Sequence, residues 1–289
     1  MRVRASIRQC GFTLIEAIMV ITITGILAAI VAVFIRAPVD GYIDSVARAE
    51  LTDAADTALR RIARDVRTAL PNSLRTTTGG STACFEFLPT VGGGRYRVNQ
   101  TDTATGNILD FSAADTIFEV LASAGLPLGG FATQHHVVIY NLGIAGADAY
   151  NPANRNRAAI AAVSAAAPMT ITLAAANQFP FQSPGNRFHV IPNFSVVYSC
   201  AGNALRRSIR TLPVAPAALA QLASCPEAGT AGESILVGNV NCANSAFTYT
   251  PAASQRNGVL TMALELTQAG ANGAETIHLY QEVHVDNTP

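Results

Sequence analysis

The chain has 289 residues with 19 basic and 19 acidic side chains, a formal net charge of zero, and only 13% charged residues against 49% hydrophobic. That length holds one globular domain of about 200 residues or two small ones. A chain with no net positive charge argues against a large nucleic-acid footprint, which needs clustered positive charge.

The N-terminus carries Arg2, Arg4 and Arg8 and no acid up to Gly11. Phe12 to Ile35 is then apolar apart from Glu16 and a few Thr and Gly. At ~1.5 Å per residue that run reaches roughly 36 Å as a helix, enough to cross a hydrocarbon core of about 30 Å with some tilt. The arginines predict a cytoplasmic N-terminus, with the bulk of the chain on the other side. A cleaved secretory signal has a shorter apolar region of about 7–15 residues before its small-residue site. An uncleaved anchor fits the hydropathy but explains neither Glu16 nor the placing of Gly11. An ionisable side chain at membrane depth marks function by default.

After the apolar run, Pro38 and Gly41 predict a bend or interruption. Ile43, Val46, Leu51, Ala55, Leu59, Ile62, Val66 and Leu70 then recur at three- and four-residue spacing, the pattern of an amphipathic helix. Asp44/Arg48 and Asp56/Arg60 are acid-first pairs at i,i+4, and Pro71 ends the pattern. Arg60, Arg64 and Arg67 make a stripe. With Asp53, Asp56 and Asp65 close by, it reads as a solvated or subunit-contacting face rather than a phosphate site.

From Asn72 onward the pattern changes to strands and turns. Cys84–Leu88 and Arg95–Asn99, flanking Pro89 and Gly92-Gly93-Gly94, predict a hairpin. The glycines are no phosphate loop, because no helix and no Lys-Ser/Thr follows. Further strands are predicted at Ile117–Leu121, His135–Tyr140, Met169–Leu173, Arg187–Ile191, Ser195–Cys200, Leu205–Ile209, Ala246–Thr250, Gly258–Leu266 and Glu275–Val285, with a turn at Ala201-Gly202-Asn203. Asp148–Arg157 and Pro213–Gly232 read as long loops. One N-terminal helix followed by strands without alternating helices is an α+β class with an antiparallel sheet.

Little in the chain suggests chemistry. His135 and His136 are adjacent on a strand and point to opposite faces, which is poor for chelating one ion. His278 and His284 lie roughly 20 Å apart along an extended strand. The oxygen-rich Asp148–Asn156 stretch lacks the twelve-residue calcium-loop pattern. No Gly-x-Ser-x-Gly elbow and no paired carboxylates appear. We expect no enzyme activity, no cofactor and no metal.

Gly11-Phe12-Thr13-Leu14-Ile15-Glu16, between a basic leader and about twenty apolar residues, resembles the processing motif of type IV prepilins and type II secretion pseudopilins. The resemblance implies cleavage by a prepilin peptidase between Gly11 and Phe12, and N-methylation of the new Phe12 terminus. Glu16 becomes the fifth mature residue, the docking charge for the N-terminal amine of a neighbouring subunit. Two charges that are unfavourable alone become tolerable as a pair; an intramolecular pair with the subunit's own amine is the alternative.

The implied layout is a leader over 1–11, a transmembrane helix over 12–35, an amphipathic continuation over 36–71 and a β-rich periplasmic head over 72–289. The fold implied is pilin-like, a long bent helix packed on an antiparallel sheet head. The protein would be a single-pass inner-membrane subunit, entering a pilus when assembled. Its partners would be the peptidase, other major and minor pilins and the inner-membrane assembly platform. Segments of the body, Cys84–Pro89, Gly93–Arg97, Tyr198–Cys200, Ala246–Tyr249 and Val283–Pro289, resemble a minor pilin of the mannose-sensitive haemagglutinin (MSHA) pilus. A type II secretion minor pseudopilin is the near alternative, and an adhesive or DNA-uptake tip subunit a further one.

Removing the leader takes away three arginines and leaves the chain near −3. It also removes Cys10, leaving Cys84, Cys200, Cys225 and Cys242 in a compartment where disulfides persist. Three pairings are open; the shortest loop favours Cys225 with Cys242, and then Cys84 with Cys200.

Overall fold

The computed structural model describes residues 11–100, 105–124, 134–164, 166–214, 217–251 and 257–289. Positions 1–10, which fall within the expected leader over 1–11 and include Cys10, lie outside the described residues.

Helix α1 runs without a break over Leu14–Arg67, 54 residues, with Pro38 inside it. Of the bend or interruption expected at Pro38 and Gly41, the interruption does not occur. A proline removes one backbone hydrogen bond and crowds one carbonyl, and Arg36 and Ala37 just before it are good helix formers.

The chain divides into two compact units. The first comprises the residues up to Glu50 together with Gln268–Glu275. Its apolar side chains from Phe12 to Tyr42 are exposed. The turn at 270–273 is closed by the Gly270 N–H donating to the Gly273 carbonyl at 2.6 Å. Gly273 has φ of 140°, which only glycine adopts freely. Asp44 accepts from the Ala271 N–H at 2.7 Å and the Asn272 amide at 2.9 Å. These bonds hold its carboxyl below the usual range, the Asn272 bond most of all. Arg48 reaches Glu275 at 2.6 Å. The Asp44 and Arg48 side chains, expected as an i,i+4 pair, thus each clasp the turn.

The second unit contains the rest of α1 and the strands, apart from the end of β12 and the first two residues of β13. Its core begins with Leu51, Ala55, Leu59, Ile62 and Val66, the amphipathic face read from the sequence. They share one apolar cluster with residues of two antiparallel sheets. One sheet orders β1 (Cys84–Phe87), β8 (Phe194–Ala201), β9 (Ala204–Thr211) and β10 (Ser234–Gly238); the other orders β11 (Ala246–Pro251), β12 (Asn257–Ala269) and β13 (Ala274–Asp286). Phe85 lies in offset contact with Tyr198, ring centroids 5.4 Å apart, and meets the edge of Phe247 at 5.2 Å. Gly202 and Asn203, both at φ 56°, form the β8–β9 turn, as the sequence pattern predicts.

The remaining strands close into a six-stranded barrel. These are β2 (Gly92–Tyr96), β3 (Asp115–Ala124), β4 (His135–Val138), β5 (Arg157–Ser164), β6 (Thr170–Asn177) and β7 (Arg187–Pro192), in the order β2-β3-β6-β5-β4-β7. Tyr96, Phe118, Val137, Ile160, Ile171, Phe188 and Val190 build a separate core there, filling a small barrel as such barrels require. The single sheet head expected from the sequence is therefore two open sheets plus a barrel. In sequence the barrel lies between β1 and β8, which pair with each other.

That insertion explains why the expected hairpin is absent. After β1 the chain bonds to the end of the helix: Leu70 N–H to the Leu88 carbonyl at 2.7 Å, and Thr90 N–H to the Thr68 carbonyl at 2.7 Å. It then enters the barrel, where β2 pairs with β3 and β7 instead of β1. Gly93 is a strand residue pressed against β7; a Cβ there would stand 2.8 Å from the Phe188 carbonyl oxygen. β5 and β10 were not among the strands read from the sequence.

The disulfides join Cys84 to Cys225 and Cys200 to Cys242, not Cys225 to Cys242. The sheet dictates this. Cys84 stands opposite Ser199 in the β1–β8 register, so Cys84 and Cys200 point to opposite faces and each meets a loop on its own side. Around Glu86, 1% exposed, Arg75 pairs at 2.8 Å, Arg210 at 3.0 Å and the Ser195 hydroxyl donates at 2.5 Å. Arg75 and Arg210 also donate to the carbonyls of Leu219 and Ala220. The long loop is thereby anchored, and Cys225 is brought to Cys84.

Candidate processing and assembly site

The site is built from the first residues of α1. Helix formation starts at Leu14, and Thr13 is the cap: its hydroxyl accepts from the Glu16 N–H at 3.3 Å, and its carbonyl accepts from the Ala17 N–H at 3.1 Å. Thr13-x-x-Glu16 has the spacing of a capping box, a signal legible in the sequence and missed there. The acid also stands in the first helical turn, where the macrodipole favours negative charge.

Gly11, Phe12 and Glu16 are all exposed. A Cβ on Gly11 would meet nothing within 4 Å, and Gly11 has no positive φ. Among the described residues, packing does not require glycine at this position. Phe12 is 80% exposed and Leu14 81%, with Ile15, Ile18, Met19 and the apolar residues beyond them uncovered in turn. The helix passes length and composition criteria for a membrane span, with a mean hydropathy of 2.9 in its best window. A signal sequence or a core helix meets the same criteria. Here the segment is uncovered, and the helix runs on to supply buried residues from Leu51 to Val66.

Other candidate positions have structural work. Asp148 accepts from the Tyr150 N–H at 3.0 Å, and Asn151 caps a short 3-10 turn at Pro152–Asn154 through the Ala153 N–H at 3.0 Å. Among the described residues no three His, Cys, Asp or Glu side chains are grouped to hold a metal ion. His136 lies on β4 with its Nδ1 buried and unpartnered. Burial, with the nearby Arg157 charge, pushes its pKa down to about 4. Asp65 near the end of α1 accepts from the Tyr198 hydroxyl at 2.6 Å and from Arg207 at 3.3 Å, a clamp the sequence pattern did not reveal.

No curated protein and no solved structure matches the chain. Residues 7–32, which include Gly11, Phe12 and Glu16, match the family model of the prokaryotic N-terminal methylation motif. With the uncovered apolar helix behind it, that match supports a single-pass membrane-anchored protein of the type IV pilin or pseudopilin kind, processed by a prepilin peptidase and associating with other pilins.

Proposed function

We infer that the chain is a minor pilin that helps to initiate or cap assembly of a type IV pilus of the MSHA kind. The observation that carries this reading is the pairing of a processing motif over residues 7–32 with an apolar helix whose side chains are exposed among the described residues. A filament packs such helices together. Cutting after Gly11 frees an amine at Phe12, and Glu16 lies about one helical turn further on. The amine of a docking subunit and the Glu16 carboxylate neutralise each other in low dielectric, and a misplaced subunit leaves both unpaired. The role is structural, with no catalysis.

The MSHA assignment, and the minor pilin MshO within it, rests on the body segments. Their residues are those that organise the head: Cys84 and Cys200 in disulfides, Phe85, Tyr198 and Phe247 in one aromatic cluster, and Asn287 bonded to the Asn72 N–H at 3.1 Å. Two disulfides fit a head facing the periplasm. A type II secretion minor pseudopilin shares the motif and the helix, and differs in the partners it meets.

Incorporation of Glu16→Ala tests the mechanism. The variant is cleaved normally, and its share in sheared filaments falls at least about tenfold, the equivalent of roughly 1.4 kcal/mol per docking event. Incorporation at the wild-type level contradicts the docking role. Mass spectrometry of partners captured with the membrane protein separates the two systems: pilus subunits support this reading, and secretion-system subunits replace it with the pseudopilin one.

A further inference from the structure

One groove in the second unit is used by nothing described so far. It is an open cavity of about 440 Å³ lined by Asp56, Arg60, Ala63, Arg64 and Arg67 of α1 and by Gln281 of β13. The three arginines stand at i, i+4 and i+7 and share one helix face. Arg60 is held by Asp56 at 2.7 Å, whereas Arg64 and Arg67 meet no carboxylate among the described residues. The other wall belongs to a strand at the end of its sheet: β13 is terminal in the order β11-β12-β13 and 13 residues long. One side of its backbone has no strand partner among the described residues. A long edge of that kind is a template for another strand.

We propose that this groove docks an extended acidic segment of a partner protein, added as a strand along β13 with its carboxylates on Arg64 and Arg67. Arginine's planar fork takes a carboxylate through two parallel hydrogen bonds. Side chains on one face of a strand recur every ~7 Å, so two acids separated by one residue reach guanidinium groups rooted ~4.5 Å apart along the helix. Main-chain bonds to β13 supply affinity, and the charge pattern selects the partner. Nucleic acid is a poorer fit. A phosphate track needs many neutralising contacts, while this groove offers Arg64 and Arg67, which have no carboxylate partner among the described residues, includes Asp56, and belongs to a chain with no net positive charge. The inference stands on the head's geometry and does not require the processing reading.

The test uses the full-length protein in detergent micelles at low ionic strength. The probe is a short fluorescein-labelled peptide alternating Glu and Val, with binding read by anisotropy. Affinity is expected to fall at least about tenfold in the Arg64→Glu/Arg67→Glu variant, whose side chains are exposed and whose melting point is unchanged. The same loss is expected when Gln replaces the peptide's Glu, and when alternate peptide amides are N-methylated. Arg61→Glu, exposed and outside the groove, leaves binding within about twofold. The proposal is overturned by absence of binding at millimolar peptide, by equal binding to the double variant or the N-methylated peptide, or by preferential binding of duplex DNA. If the double variant fails to fold, Arg64→Gln/Arg67→Gln carries the same expectation.

Discussion

The two ends of α1 are made of similar apolar residues and meet opposite surroundings. Between Phe12 and Tyr42 the large side chains are exposed, Ile21 by 71% and Phe34 by 78%. From Leu51 to Val66 one face is closed into the head, with Ile62 and Val66 at 0%. A face that the chain itself covers contributes to folding. An apolar face all the way round that the chain leaves open requires cover from outside, by lipid or by neighbouring helices. The first stretch is therefore suited to lipid or neighbouring helices and the second is a folding element, on one continuous helix.

Paired substitutions give the sharpest contrast. Ile62→Ala is expected to lower the stability of the head by about 2–5 kcal/mol in denaturant titration. Ile21→Ala leaves that titration unchanged within about 0.5 kcal/mol, since Ile21 is 71% exposed and belongs to none of the buried clusters among the described residues. An equal loss from both erases the distinction between the two stretches.

Acid is a second separator. The folded head disfavours the His136 imidazolium and the unfolded chain does not, so below pH 6.5 the unfolded state binds the extra proton. Stability is complete above about pH 6.5 and declines as the pH falls to about 4, by no more than about 3 kcal/mol from this group. His189, also lowered mainly by burial, acts in the same sense. In His136→Leu the slope flattens. The exposed stretch of α1 contains no histidine, and its helicity by circular dichroism does not follow this profile.

Asp65→Ala removes the clamp at the end of the buried stretch and strands the Tyr198 hydroxyl, lowering head stability by about 1–3 kcal/mol. Thr13→Ala, at the opposite end, has the smallest effect. It frays the first turn by about 1 kcal/mol, visible as faster amide exchange near Glu16, with no change in the head's unfolding midpoint.

Legibility from sequence followed the range of the interactions. The N-terminal motif, the amphipathic spacing from Leu51 to Val66 and the Gly202-Asn203 turn are local patterns, and each was readable. The Thr13–Glu16 capping box was equally local and was overlooked. The β1–β2 hairpin was misread because its decisive bonds, Leu70 to Leu88 and Thr68 to Thr90, join strand to helix end. Proximity in sequence misled the disulfide pairing, because strand register sets which face each cysteine takes. The barrel left a weaker trace: β5, Arg157–Ser164, is rich in alanine and alternates poorly. The Glu86 hub joins Arg75, Ser195 and Arg210, positions that no local pattern connects.

The proposed function requires Gly11 and Phe12 to be a processing junction. Intact-mass and N-terminal analysis of the protein, isolated from cells with and without a prepilin peptidase, tests it most directly. A mature chain beginning at N-methylated Phe12 is expected when the peptidase is present, and a chain that retains the leader when it is absent. A chain that keeps Met1 in both cells, or one cut at another site, contradicts it.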